Sequence, residues 1–123
     1  MKLIFRQNHF QNIAADDEFI FLKVEYQWVR ISLKDICYIE SLKDYVKVHL
    51  EDNQKAILSL ISLKALEEKL PSAKFMRVHR SFIVRLDKIA SIDFPNLYLE
   101  DEKKMIPIGG SYREELSNRI NMI

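Results

Sequence analysis

His9, His49, His79 and Cys37 are the starting points for metal chemistry in this 123-residue chain, and they stand singly, with no C-x-x-C, no H-E-x-x-H and no histidine pair at helical spacing. A metal site is therefore not expected. Ser81 lies two residues from His79, so a strand would put both on one face, but neither G-x-S-x-G nor S-x-x-K is present to make a nucleophile. Gly109-Gly110 lacks the rest of a phosphate-binding loop and reads as a turn or bulge. The runs Asp16-Asp17-Glu18 and Glu100-Asp101-Glu102 sit in polar, turn-like surroundings and read as solvated clusters rather than acid/base pairs. A phosphoacceptor aspartate would need alternating strands and helices, which the chain does not show. No enzyme and no cofactor are expected. One asymmetry remains: Lys74, Arg77, His79, Arg80, Arg85 and Lys88 fall within fifteen residues against a single acid, Asp87, in a chain whose overall charge is only +1. Such a cluster is either a strand face covered by long side chains or a surface for a polyanion.

The elements that must position these residues belong to one domain. Hydrophobic residues make up 48% and charged residues 30%, a globular balance that excludes a disordered tail, a coiled coil and a collagen-like repeat. The longest apolar runs, such as Phe19 to Val24 with Lys23 inside, are too short to span a bilayer. No apolar stretch of signal-peptide length follows Lys2, and Cys37, between Ile36 and Tyr38, has no partner for an internal disulfide and reads as a small buried apolar residue. A cytoplasmic address fits these features. Residues 1–17 show no clean period and read as an N-terminal arm or linker, leaving 18–123 as the domain.

From residue 18 the pattern is that of strands. Ile20, Leu22 and Val24 alternate with Phe21, Lys23 and Glu25, and Val29 and Ile31 alternate with Trp28, Arg30 and Ser32, which predicts a hairpin around Tyr26-Gln27. Strands are expected at Ile36 to Ile39, Tyr45 to Leu50 and Lys55 to Leu58. Ser62 is positioned to cap a two-turn helix whose Leu63, Leu66 and Leu70 share a face and which Pro71 ends. Short strands follow at Phe75 to Val78, Phe82 to Leu86, Ile89 to Ile92, Leu97 to Leu99 and Met105 to Ile108. Ser111-x-x-Glu114 is a candidate capping box for a final helix with Tyr112, Leu116 and Ile120 on its apolar face. The expected fold is mainly β, a β-rich α+β domain of eight or so short strands with one internal and one C-terminal helix.

The basic cluster lies within a segment that carries a resemblance. Met76 to Val84, reading MRVHRSFIV, closely resembles the hallmark of the LytTR DNA-binding domain, the output module of many bacterial two-component response regulators. Ile36 to Val48 looks like the strand-loop-strand element of that family, and Leu63 to Pro71, L-x-x-L-E-x-x-L-P, looks like its helix. Lys104 to Ile108 and Gly109 to Glu114 resemble its last strand and C-terminal helix, so the similarity runs over about residues 18 to 120.

The resemblance implies an elongated fold of small antiparallel sheets and a docking mode in which strand-end loops, not a recognition helix, enter the DNA major groove. Three segments match by position: Lys43-Asp44-Tyr45, His79-Arg80-Ser81 and Gly110-Ser111-Tyr112-Arg113. The candidate DNA-binding residues are Lys43, Asp44, Tyr45, Arg77, His79, Arg80, Ser111 and Arg113. Arg80 offers the planar fork that reads guanine, His79 and Ser111 can bond a base edge or a phosphate, and Lys43 and Arg113 suit phosphates. The amides beside Ser111 are expected to attract a further phosphate. Tyr45 has a competing packing role. Two positions depart from the family: Arg85 stands where Asn is frequent, as a candidate extra phosphate contact, and Gly110 where a basic residue is common. The implied partners are double-stranded DNA, in paired direct-repeat half-sites, and a receiver or sensor domain outside this chain. The alternative is a β-rich module that keeps the fold and binds a protein or small ligand without DNA.

Overall fold

The computed structural model describes residues 18–100 and 104–123, so the arm expected over 1–17, Asp101 and Glu102 lie outside the described residues. Its centre is an antiparallel five-stranded sheet ordered β5-β4-β3-β7-β6, built from β3 (Ile36–Leu42), β4 (Tyr45–Leu50), β5 (Ile57–Ser59), β6 (Phe75–His79) and β7 (Phe82–Arg85). Both faces of this sheet are covered. On one, β1 (Phe19–Val24) and β2 (Gln27–Ser32) form the expected hairpin and α1 (Leu63–Lys69) packs beside it, enclosing Leu22, Ile31, Ile39, Val48, Leu66 and Ile83. On the other, the three-stranded sheet of β8 (Ile89–Asp93), β9 (Asn96–Leu99) and β10 (Met105–Pro107) joins α2 (Arg113–Arg119) over Tyr38, Val78, Val84, Leu97, Ile106 and Leu116. This explains why Ile36 to Ile39 reads as an unbroken apolar run: a strand covered on two faces has no side left for water.

Local chemistry accounts for most element ends. Ser62 Oγ accepts the Ala65 N–H at 3.0 Å, as an N-cap should, and Leu70 has returned to extended backbone just before Pro71. The capping box expected at Ser111 does not form. Ser111 lies inside a 3-10 turn, Gly110–Tyr112, that leads directly into α2, and Tyr112, at the α2 N-cap with helical φ and ψ, makes no side-chain cap. The Tyr112 and Arg113 amides instead donate to the Gly109 and Gly110 carbonyls. The chain is already coiling at Gly110, which leaves Ser111 no extended conformation to cap from and withdraws those two amides from the phosphate role.

Candidate nucleic-acid interface

The register of the central sheet decides where the turns lie. Leu42 pairs with Tyr45, leaving Lys43 and Asp44 as a two-residue turn at the end of β3 and β4. His79 pairs with Phe82, leaving Arg80 and Ser81 as the turn between β6 and β7. Because β3 pairs with β7 through Glu40 and Phe82, and the Ser41 N–H donates to the Ser81 carbonyl at 2.9 Å, the two turns stand side by side at one end of the sheet. The third segment is tied to the same end by the Gly109 N–H, which donates to the Val78 carbonyl at 2.8 Å. A Cβ on Gly109 would sit 3.0 Å from the Tyr112 ring, which would have to give by a few tenths of an ångström, while its 3.8 Å to His79 Cα would be ordinary contact.

Each turn holds its residues in a specific way. Lys43 has φ of 53°, a left-handed conformation that costs a residue with a Cβ about 1–3 kcal/mol and so is held by the pairing on either side. Lys43, Asp44 and Tyr45 are all exposed. The Ser81 N–H donates to His79 Nδ1 at 3.0 Å, so in the neutral ring the proton sits on Nε2, leaving that nitrogen a donor. The exposed Arg80 side chain makes no hydrogen bond or ion pair among the described residues, while its carbonyl accepts from Arg77 Nη2 at 2.5 Å. Arg113 is exposed, with its guanidinium carbon 3.9 Å from the centre of the Phe94 ring, and Ser111 is exposed beside it. The Phe94 contact had no signal in the sequence. Among the described residues no group of His, Cys, Asp and Glu side chains is arranged to hold a metal, and no helix is long and apolar enough to cross a membrane.

The family model described as the LytTr DNA-binding domain matches residues 26–121. The chain belongs to the LytTR DNA-binding domain family. DNA binding is the activity that the family's description names. The sensory transduction protein LytT of Bacillus subtilis (strain 168) is 32% identical over 117 residues, 91% of this chain and 47% of that protein. LytT of Bacillus anthracis is 30% identical over 115 residues, 90% of this chain and 46% of that protein. The heme-containing CO-sensing transcriptional regulator RcoM 2 of Paraburkholderia xenovorans is 30% identical over 100 residues, 77% of this chain and 37% of that protein. The chain thus spans about half the length of the LytT relatives it matches. The solved LytTr domain of a methyl-accepting/DNA response regulator from Bacillus cereus superposes with a TM-score of 0.69 at 24% identity, over 85% of this chain and 97% of that one, and supports the fold.

Two arginines of the LytTR hallmark region are committed inside the fold. Arg85 is 5% exposed; its Nη1 donates to the Leu33 carbonyl and its Nε to Asp87, both at 2.8 Å, and the guanidinium lies 5.6 Å from the Phe75 ring centre. The expected phosphate role of Arg85 is therefore replaced by a structural one, since a guanidinium buried and bonded to Leu33 and Asp87 is not presented to a phosphate at the surface. Arg77 braces the Arg80-Ser81 turn: besides the Arg80 carbonyl, it reaches the His79 carbonyl at 3.4 Å and Glu67 at 3.3 Å. Arg77→Ala should lower stability by about 1–2 kcal/mol through these lost bonds and weaken DNA binding with an unchanged salt slope. A direct phosphate contact would instead lower the slope by about one unit, so melting curves and salt titrations of the same variant separate the two roles.

Proposed function

We propose that this LytTR domain binds a specific double-stranded DNA sequence through the turns at one end of its central sheet. The observation that carries this reading is that three segments distant in the chain, around Lys43, Arg80 and Ser111, are joined at that end by the Ser41–Ser81 and Gly109–Val78 backbone bonds and leave Lys43, Arg80 and Arg113 exposed. Arg80 suits the O6 and N7 acceptors of guanine, the His79 Nε2–H and Ser111 hydroxyl suit a base edge or phosphate, and Asp44 can accept from the cytosine amine. Lys43 and Arg113 meet phosphates, and Tyr45 flanks the first turn. The relatives' names speak of sensory transduction and CO sensing, and each matched stretch is under half of the relative, which supports an input domain elsewhere in the polypeptide, a receiver or a sensor. Its action would join two copies on direct-repeat half-sites, each bound weakly alone.

Binding should be strongly salt-dependent. A domain of net charge +1 must draw affinity from a local patch, and about four to seven phosphate contacts give a log K against log salt slope of about −4 to −6. Duplexes selected from a random pool, titrated at several salt concentrations, test this. A flat dependence would turn the assignment toward a module that binds protein or a small ligand.

A further inference from the structure

The β1–β2 hairpin has an inner face that the core explains and an outer face that it does not. Leu22 and Ile31 point inward and are buried, whereas Phe21 and Trp28 on the outer face are 51% and 64% exposed, and Tyr26 at the tip is 98% exposed. The outer face also carries cations against its rings: Lys23 Nζ lies 5.3 Å from the Trp28 ring centre, and the Arg30 guanidinium lies 4.2 Å from that of Phe19. Lys23 pairs with Trp28 across the two strands, one step from the tip, where Glu25 takes φ of 57° to make the turn.

The placement of that tip gives the face a meaning. Ser59 Oγ donates to the Lys23 carbonyl at 2.7 Å; Ser59 pairs with Val46, Val46 with Ser41, and Ser41 bonds Ser81. Lys23 is thereby level with the same end of the sheet, at its β5 edge, on the side of the Lys43-Asp44 turn, with the Arg80-Ser81 turn further along the same end. Lys23, Glu25 and Tyr45 line one open groove with Leu58 and Leu60, so the hairpin tip and the first turn share a continuous surface. Lys23 forms no ion pair with a carboxylate among the described residues, while Glu25 is the acid that the tip itself contributes. An ammonium held over the Trp28 ring, on a hairpin whose tip exposes Tyr26 and whose surface continues into the first turn, suits a phosphate backbone.

We propose that the tip of the β1–β2 hairpin is a further DNA contact, in which Lys23 and Tyr26 meet backbone phosphates of the duplex beyond the stretch that the turns read. The proposal rests on the DNA-binding reading above. Trp28 is the only tryptophan in the chain, so its emission reports on this hairpin alone. The experiment titrates the domain with an end-labelled duplex recovered by selection and with a mixed-sequence duplex, following label anisotropy and Trp28 emission together. Trp28 emission should change in step with binding of both duplexes, and Lys23→Ala should reduce the salt slope by about 0.9 on both while leaving base preference intact. Tyr26→Phe should weaken both complexes without changing the slope. Anisotropy that reports binding while Trp28 emission and the Lys23→Ala slope stay unchanged would overturn the hairpin contact and leave the turns' role standing. Failure of the wild-type domain to bind either duplex would overturn both. Emission that shifts with protein concentration in the absence of DNA would overturn the proposal in favour of self-association.

Discussion

Replacing Arg80 by alanine should cost about 1–3 kcal/mol of affinity on the selected DNA site and relax the preference at one base pair, with the melting temperature almost unchanged. The separation of the two effects follows from the bonding of this residue. Its side chain is exposed and bonds nothing else among the described residues, so truncation breaks no internal contact; its carbonyl, which Arg77 holds, survives the substitution. Lys43→Ala should behave differently, weakening selected and mixed-sequence duplexes alike and lowering the salt slope by about one unit. Measuring melting and base preference on both variants checks this. A destabilised Arg80→Ala protein with its preference intact would remove Arg80 from base reading.

Truncating Leu116 to alanine should have the largest effect on stability, a loss of about 2–5 kcal/mol. For a domain of this size that corresponds to a fall in melting temperature of the order of 10–20 °C. Leu116 is the buried residue of the seven-residue α2 and packs in the same cluster as Val78, Leu97, Ile106 and Ile108. A helix this short is held by packing rather than by its own propensity, so the cavity also loosens the segment from Gly109 to Arg113 that α2 anchors. DNA affinity should therefore fall together with stability. The same truncation at Leu60, which is 69% exposed, should change stability by no more than about 0.5 kcal/mol. Thermal and denaturant melts of the two variants compare them directly, and equal losses would show that α2 is not held by this cluster.

Much of the architecture was legible because it is written in short-range chemistry. Alternation over Ile20 to Ile31 gave away the first hairpin, and Ser62 with Pro71 bracketed α1 at its observed ends. The hallmark Met76 to Val84 led to the family that the match over residues 26–121 shows. Local reading failed where two local solutions compete. Ser111-x-x-Glu114 has the composition of a capping box, yet the Gly109-Gly110 pair starts a 3-10 turn earlier and displaces it. The basic cluster failed in another way: Arg77, Arg80 and Arg85 look alike in a charge count, but Arg85 is buried because the carbonyl of Leu33, fifty-two residues away, meets it, and Arg77 faces Glu67 and the backbone of its own turn.

What the amino-acid order determined by itself was the set of strands, helices and turns and the membership that its motifs carry. Periodicity, capping and turn preference act over a few residues and need no partner. Only the tertiary structure decided which turns become neighbours and which cations stay free to act. Both depend on strand register and on two-sided burial of the central sheet, and these are set by contacts between residues far apart in the chain, such as Ser41 with Ser81, Gly109 with Val78 and Ser59 with Lys23.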